Sequence, residues 1–332
     1  GDVYKRQLLE GTQEAPITPQ KPPASGIVLP GALITDPSRL SSVSIQLRQP
    51  LSLQLSGTLS ASGSDIRLRS LDPLHLATIS GEGVVGITAA EISQADGEGL
   101  LSRQGSLQLR STTGAIGQND RPLLVQLGGV STLNLSSAGD ATIRSPGDLA
   151  LGSLRAIGNL SLTSAGSLSD GGRLSSEVAD PLANLQANRL LLQADGQIGT
   201  PVSPLLVKAS GSLQASSGLS SGANGLMALR AVGLEQPVQS LNAGGGDAQL
   251  WLSGSGFRAA ADASAPLIFA GGLVLDGLSG FGQSDAPITT RIHRLAGAVV
   301  SAGLFLDNQG DLAIANAADR SGSLSYPGLT LA

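Results

Sequence analysis

Residues 113–125, TGAIGQNDRPLLV, and residues 195–207, DGQIGTPVSPLLV, carry Gly, Ile-Gly, Pro and Leu-Leu-Val at the same relative positions. A weaker third copy, residues 280–288 (GFGQSDAPI), keeps the apolar residue, the Gly and the Pro at the same offsets, and Ile116, Ile198 and Phe281 follow one another at nearly equal intervals. Recurrence at a fixed period marks a stacked architecture, in which each unit buries its apolar face against the next instead of sharing one central core. The chain is therefore read as a repeat array.

The long period subdivides. Short alternating segments precede the three copies, at Leu107 with Leu109, Leu190 with Leu192 and Leu273 with Leu275, and two more fall at Leu133 with Leu135 and Leu160 with Leu162. One series of anchors is Leu107, Leu133, Leu160 and Leu190; the next is Leu190, Leu213, Leu250 and Leu273. Both series span the same interval, which reads as three coils per long repeat. The long step from Leu213 to Leu250 then calls for about ten extra residues, an excursion within residues 217–246. Alternation with period two marks half-buried strands, and the Gly, Ser, Asn and Asp between them are turn formers. A coil of about 20 to 30 residues that returns to its starting azimuth after rising one strand spacing is a turn of a parallel β-helix. The expected fold is all-β, a right-handed parallel β-helix of about 10–12 coils.

Composition agrees with stacking. Aromatics are 2% of the chain and Gly numbers 45, so the interior must be filled by Leu, Ile, Val and Ala. Hydrophobic residues at 41% with regular Leu spacing are too many for a disordered segment. The absence of Cys excludes disulfides, thiolate metal sites and Cys nucleophiles. A net charge of −5, with no run of Lys or Arg, argues against nucleic acid or an anionic membrane as partner. No stretch approaches the roughly 18 consecutive apolar residues of a membrane span.

Two regions are expected. Residues 1–39 carry six prolines from Pro16 to Pro37, too many for sheet interior, and read as a lead-in or linker with a non-native start at residues 1–7, GDVYKRQ. Residues 40–332 form the β-helix repeat domain. The sole methionine is Met227 and no signal-peptide pattern opens the sequence, so an internal fragment is expected, with further coils beyond it.

The Leu-x-Leu strands, the turns Ser137-Ala138-Gly139, Ser164-Ala165-Gly166 and Thr112-Thr113-Gly114, and the Ile-Gly to Pro-Leu-Leu-Val unit together resemble the repeat region of filamentous-haemagglutinin-like exoproteins. These are large Gram-negative adhesins secreted by the two-partner pathway. The resemblance spans roughly residues 40–332. It implies a right-handed parallel β-helix, secretion or display at the bacterial cell surface, an outer-membrane transporter as partner, and a surface receptor or glycan as ligand. It carries over no catalytic residues, and the Asn-Pro-Asn secretion motif of such proteins is absent from this sequence.

Several local patterns match catalytic or binding motifs, and each has a simpler reading. Gly81-Glu82-Gly83-Val84-Val85-Gly86 fits GxGxxG, but a dinucleotide site needs a helix behind it and an acidic residue about 20 positions on. Gly218-Leu219-Ser220-Ser221-Gly222 fits the nucleophile elbow, with Asp262 or Asp276 and His293 in hydrolase order, but the flanking Ser and Gly supply no helix. His75 and His293, the two histidines, read as coil-edge residues and not as a metal pair. Glu91, Asp96 and Glu98 read as solvated turn acids; a sugar-cleaving cleft also wants aromatic platforms, and Trp251 is the one Trp. Residues 244–247 (GGGD) and 307–311 (DNQGD) resemble calcium turns without fitting the repeated nonapeptide. Asn134 and Asn159 head N-x-S triplets inside strands and read as outward polar residues. The expectation is therefore no catalytic, cofactor-binding or metal-binding residue and no cofactor. The corresponding function is a non-catalytic structural or adhesive stalk segment that neither spans a membrane nor binds nucleic acid. The alternatives are a β-helical carbohydrate-active enzyme or the delivery stem of a contact-dependent toxin.

Overall fold

In a computed structural model, the described residues are 65–94, 100–102, 105–172, 183–219, 225–263, 266–299, 303–318 and 324–331, with short strands also placed at Val28–Leu29, Ala32–Leu33, Ser42–Ser44 and Leu59–Gly63. Most of the proline-rich lead-in lies outside them. Among the described residues there is no helix, and the strands stack in parallel as a β-solenoid of about 10 turns.

Three ladders of paired strands form the walls. The first runs Val43, Ile66, Val85, Leu107, Leu133, and continues from Leu135 through Leu154, Leu185 and Val207 to Ala231. The second runs Leu74, Ile92, Ile116, Ala141, Leu160, Leu190, Leu213, Val238, Ala259. The third opens with Ile79, Leu100 and Val125, then runs Leu149, Leu168, Ile198, Met227, Leu250, Leu273, Leu295, Ile314. Inward positions of all three walls form one cluster in which Ile66, Leu107, Leu133, Leu160, Ile198 and Leu250 are each at most 1% exposed. Each such residue removes its whole side chain from water, worth about 1.5–3 kcal/mol. The core is one apolar column, a rung deep per turn, aliphatic but for the fully buried rings of Phe257 and Phe281 among the described residues.

These registers correct the sequence-based assignment of three coils to each long repeat. Leu107 and Leu133 share the first wall, but Leu160 and Leu190 belong to the second and Leu250 and Leu273 to the third. Leu190 lies three rungs beyond Ile116 in one ladder, and Ile198 follows shortly after on the next wall. Likewise Leu273 lies three rungs beyond Ile198, and Phe281 follows at the same offset. The long repeat therefore advances three full turns plus one wall. The expected ten-residue excursion within residues 217–246 disappears for the same reason. Leu213 pairs with Val238, an ordinary coil length further on, whereas Leu250 continues the ladder of Met227. The smaller bulge that does exist falls at residues 245–248, between the pairs Gly244 with Ala270 and Gln249 with Gly272.

The repeated thirteen-residue unit is a single local device used three times. Ile116 N–H donates to Asp140 O and Gly117 N–H to Ile92 O; Ile198 and Gly199 do the same to Leu226 O and Leu168 O, and Phe281 and Gly282 to Gly303 O and Phe257 O. Each glycine has positive φ, 67° at Gly117, 62° at Gly199 and 72° at Gly282. The chain then leaves the wall in a tight hairpin closed by reciprocal bonds between Gln118 and Arg121, Thr200 and Ser203, or Gln283 and Ala286. It returns at Leu123, Leu205 or Ile288, paired with Ile143, Leu229 or Leu306. Those partners stand only two positions beyond the residues facing Ile116, Ile198 and Phe281. The proline before each return, Pro122, Pro204 or Pro287, sits at a strand entry, where a missing donor is tolerated.

Corners are closed by serine. In Ser137-Ala138-Gly139, Ser145-Pro146-Gly147 and Ser164-Ala165-Gly166 the glycine N–H donates to the serine Oγ two residues back, at 3.3, 3.2 and 3.1 Å. Buried serine hydroxyls thereby satisfy the backbone where it turns. Asp140 and Asp148, each just past such a turn, accept Asn159 N–H at 2.8 Å and Ser167 N–H at 2.7 Å from the next coil.

The third wall is also covered on its outside. Leu226, Ala228, Trp251 and Val274 alternate with its inward residues and form a second buried cluster, against which Ala317, Leu324 and Tyr326 pack. Ala317 and Tyr326 come from an antiparallel pair, Ala317–Ala318 with Ser325–Tyr326, whose second strand Leu324 directly precedes, and Leu329–Leu331 then rejoins the stack beside Gly297. Trp251 is 2% exposed beneath it.

Candidate functional site

The structure describes part of the motif matches weighed in the sequence. Gly81 to Gly86 join two strands, Leu74–Gly81 and Val85–Ala89, so a strand stands where a dinucleotide site needs a helix. Gly105 of the next coil is kept small by this stacking, since a Cβ on it would lie 2.9 Å from the Gly83 carbonyl. Ser220, Ser221 and Gly222 lie outside the described residues, as do Asp96 and Glu98. Asp276 is engaged by the Tyr326 hydroxyl, and Asp262 and His293 are exposed. His75 is exposed too, its Nδ1 3.0 Å from Ser93 Oγ on the adjacent rung. Glu91 is approached by Gln118 Nε2 at 3.5 Å. Asp247 of the GGGD turn pairs with Arg294 at 3.2 Å. In the DNQGD turn the Asn308 side chain is spent on Thr290, Ile292 and Gly310. Asn134 and Asn159 point outward and bond to neighbouring coils, Asn134 Oδ1 accepting Ser153 N–H at 3.1 Å.

What the fold does assemble is a column on the outside of the first wall. Arg69 pairs with Thr88, Thr88 with Arg110, Arg110 with Ser136, Ser136 with Arg155, Arg155 with Gln186 and Gln186 with Lys208. These positions alternate along each strand with the buried leucines, so all seven side chains face away from the core. Arg69, Arg110, Arg155 and Lys208 are exposed. Charged and uncharged rungs alternate, which sets the cations about 9.6 Å apart, two strand spacings.

No family model, curated protein or solved structure matches the chain.

The column forms the floor of an open groove. Arg110, Ser136, Arg155, Gln186 and Lys208 line it, with the corner residues Ser111, Thr112, Asn188 and Ser210 beside them and Ile157 and Leu234 at the rim. Among the described residues no carboxylate and no aromatic ring lines it. Ile157 and Leu234 are 77% and 78% exposed. No basic patch shows in the sequence because the three groove cations stand far apart along the chain. The available signal was a basic residue at the outward position after an inward apolar one, as in Leu109-Arg110, Leu154-Arg155 and Val207-Lys208; only the register puts them in one line. The groove offers fixed positive charge, hydroxyls and amides in a straight row, a surface for holding an extended ligand. No described helix is long and apolar enough to cross a membrane.

Proposed function

We propose that this chain is a non-catalytic spacer and display segment of a filamentous adhesin, secreted or held at a bacterial cell surface. The observation that carries the reading is the unbroken stack: about 10 turns, each paired to the next by backbone ladders, make a rod about 48 Å long. A solenoid of this kind transmits no closure between lobes; it holds whatever is attached to either end at a fixed distance. The three hairpin excursions at residues 118–121, 200–203 and 283–286 support the same reading, since they decorate the rod without interrupting a ladder. On this reading the parent travels through an outer-membrane two-partner transporter, as the sequence resemblance implies, and its ligand is a surface receptor or glycan.

The test is immunogold labelling of intact source cells with antibody raised against residues 65–331. Label on extracellular filaments before permeabilisation is expected. Label that requires permeabilisation overturns the reading.

A further inference from the structure

The groove on the first wall has a spacing and a chemistry of its own, and both narrow what fits it. Its cations, Arg110, Arg155 and Lys208, occupy every second rung, with Ser136 and Gln186 on the rungs between. Among the described residues none of the three is ion-paired with a carboxylate, so their charge is open to a ligand. The strand ladders hold the row straight and at fixed pitch, which removes part of the ordering cost of binding.

We infer that this groove binds a linear acidic polysaccharide carrying one anionic group per disaccharide. Three features select that class. A charge about every 9.6 Å is met by a sparsely charged polymer, whereas DNA presents a phosphate about every 3.4 Å along each strand. Hydroxyl and amide side chains between the cations suit the sugar hydroxyls that separate successive acidic groups. Single-stranded nucleic acid is gripped by stacking its bases on aromatic side chains, and the described residues of this groove include none. The exposed rim residues Ile157 and Leu234 give the less polar faces of the sugar rings something to rest against. The overall charge of −5 does not oppose this, because screening confines each exposed charge to about 8–10 Å and no acid among the described residues lines the groove.

The inference deepens the display reading by naming a ligand class, and the two fail separately: filaments can label on intact cells while the groove binds nothing. Binding of a hyaluronan dodecasaccharide, which has one carboxylate per disaccharide, is measured by titration calorimetry against residues 1–332 and variants. Arg110→Gln, Arg155→Gln and Lys208→Gln are each expected to weaken binding about two- to fivefold, and the triple variant at least about tenfold. Affinity should fall with added salt, less steeply in the triple variant. Arg144→Gln, exposed on the second wall, should bind as the parent does. All four side chains face solvent, so unchanged circular dichroism is expected and keeps loss of fold out of the result. Neutral dextran and oligothymidylate are the comparison ligands. The inference is overturned if the parent does not bind hyaluronan, if the triple variant binds it equally well, or if oligothymidylate binds more tightly than hyaluronan.

Discussion

Ile198 does not stack over Ile116: it lies one wall further round the coil, with Leu190, not Ile198, closing the third rung above Ile116. Both are fully buried, and both start the same bulged hairpin. The fold thus reuses one local solution on different walls, and equal sequence does not mean equal azimuth.

Ile116→Asp and Ile198→Asp each place a charge in the apolar column, where no counter-ion stands. Each should cost about 4 kcal/mol or more, against about 2–5 kcal/mol for Ile→Ala at the same positions. His293→Ala, on an exposed edge, should stay within about 0.5 kcal/mol. Urea unfolding followed by circular dichroism ranks the variants; an Ile→Asp variant as stable as the parent would mean that these sites face solvent.

The hairpin device depends on its glycine. A Cβ on Gly117 would lie 2.3 Å from Thr142 O and 2.7 Å from Leu123 N, and one on Gly199 2.5 Å from Ala228 O, in each case with positive φ. Gly117→Ala and Gly199→Ala should each lose about 1–3 kcal/mol. Gly147→Ala, with nothing within 4 Å, should cost less than about 0.5 kcal/mol. Thermal midpoints of the three variants decide it, and equal midpoints would contradict the contact.

Asn184 joins three coils. It is 1% exposed, its Nδ2 donates to Gly152 O and Asp170 Oδ1 at 3.1 Å each, and its Oδ1 accepts Leu206 N–H at 3.0 Å. Asn184→Leu keeps the branched shape but strands Gly152 O and Leu206 N, at a cost of about 1–3 kcal/mol. Hydrogen exchange should then quicken at the Leu206 amide first. Unchanged protection at Leu206 would show that the bond is not made.

The pair Ala317–Ala318 with Ser325–Tyr326 seals Trp251, whose ring lies 6.2 Å from that of Tyr326. Burial raises the Tyr326 pKa above its usual value, and the hydrogen bond to Asp276 and its negative charge raise it further. A group whose folded-state pKa is raised contributes stability that is fully present below its unfolded value, about 10, and is lost as pH rises toward the folded value. The seal should therefore loosen above about pH 10. Trp251 is the sole Trp, so its emission should shift to the red on that titration, and Tyr326→Ala should produce the shift at neutral pH. An emission maximum unaffected by Tyr326→Ala would contradict the packing.

Much of the architecture was legible in the sequence and its azimuth was not. Alternation at Leu107 with Leu109 and Leu190 with Leu192 identifies inward positions because a strand has period two. The same pattern recurs on all three walls, so nothing local distinguishes a full turn from a turn plus a wall. Coil length does not resolve this either: along the second wall the step from Leu160 to Leu190 is more than half as long again as that from Leu74 to Ile92. The motif match at residues 81–86 falls between two strands, and Ser220, Ser221 and Gly222 of the match at 218–222 lie outside the described residues. The row of Arg110, Arg155 and Lys208 was invisible because it exists only across rungs. The cover over Trp251 was missed because alternation marks that residue as outward, and its burial comes from Ala317, Leu324 and Tyr326, far downstream in the chain.

Successive coils rise by one strand spacing, rung paired to rung. Thr88 and Lys208, distant in sequence, are joined by five rung-to-rung pairings. The native sequence has no Cys, so a Thr88→Cys, Lys208→Cys variant can be spin-labelled at these two sites alone and measured by double electron–electron resonance. A narrow distribution centred near about 24 Å is predicted. A broad distribution, or one centred beyond about 35 Å, would contradict the solenoid.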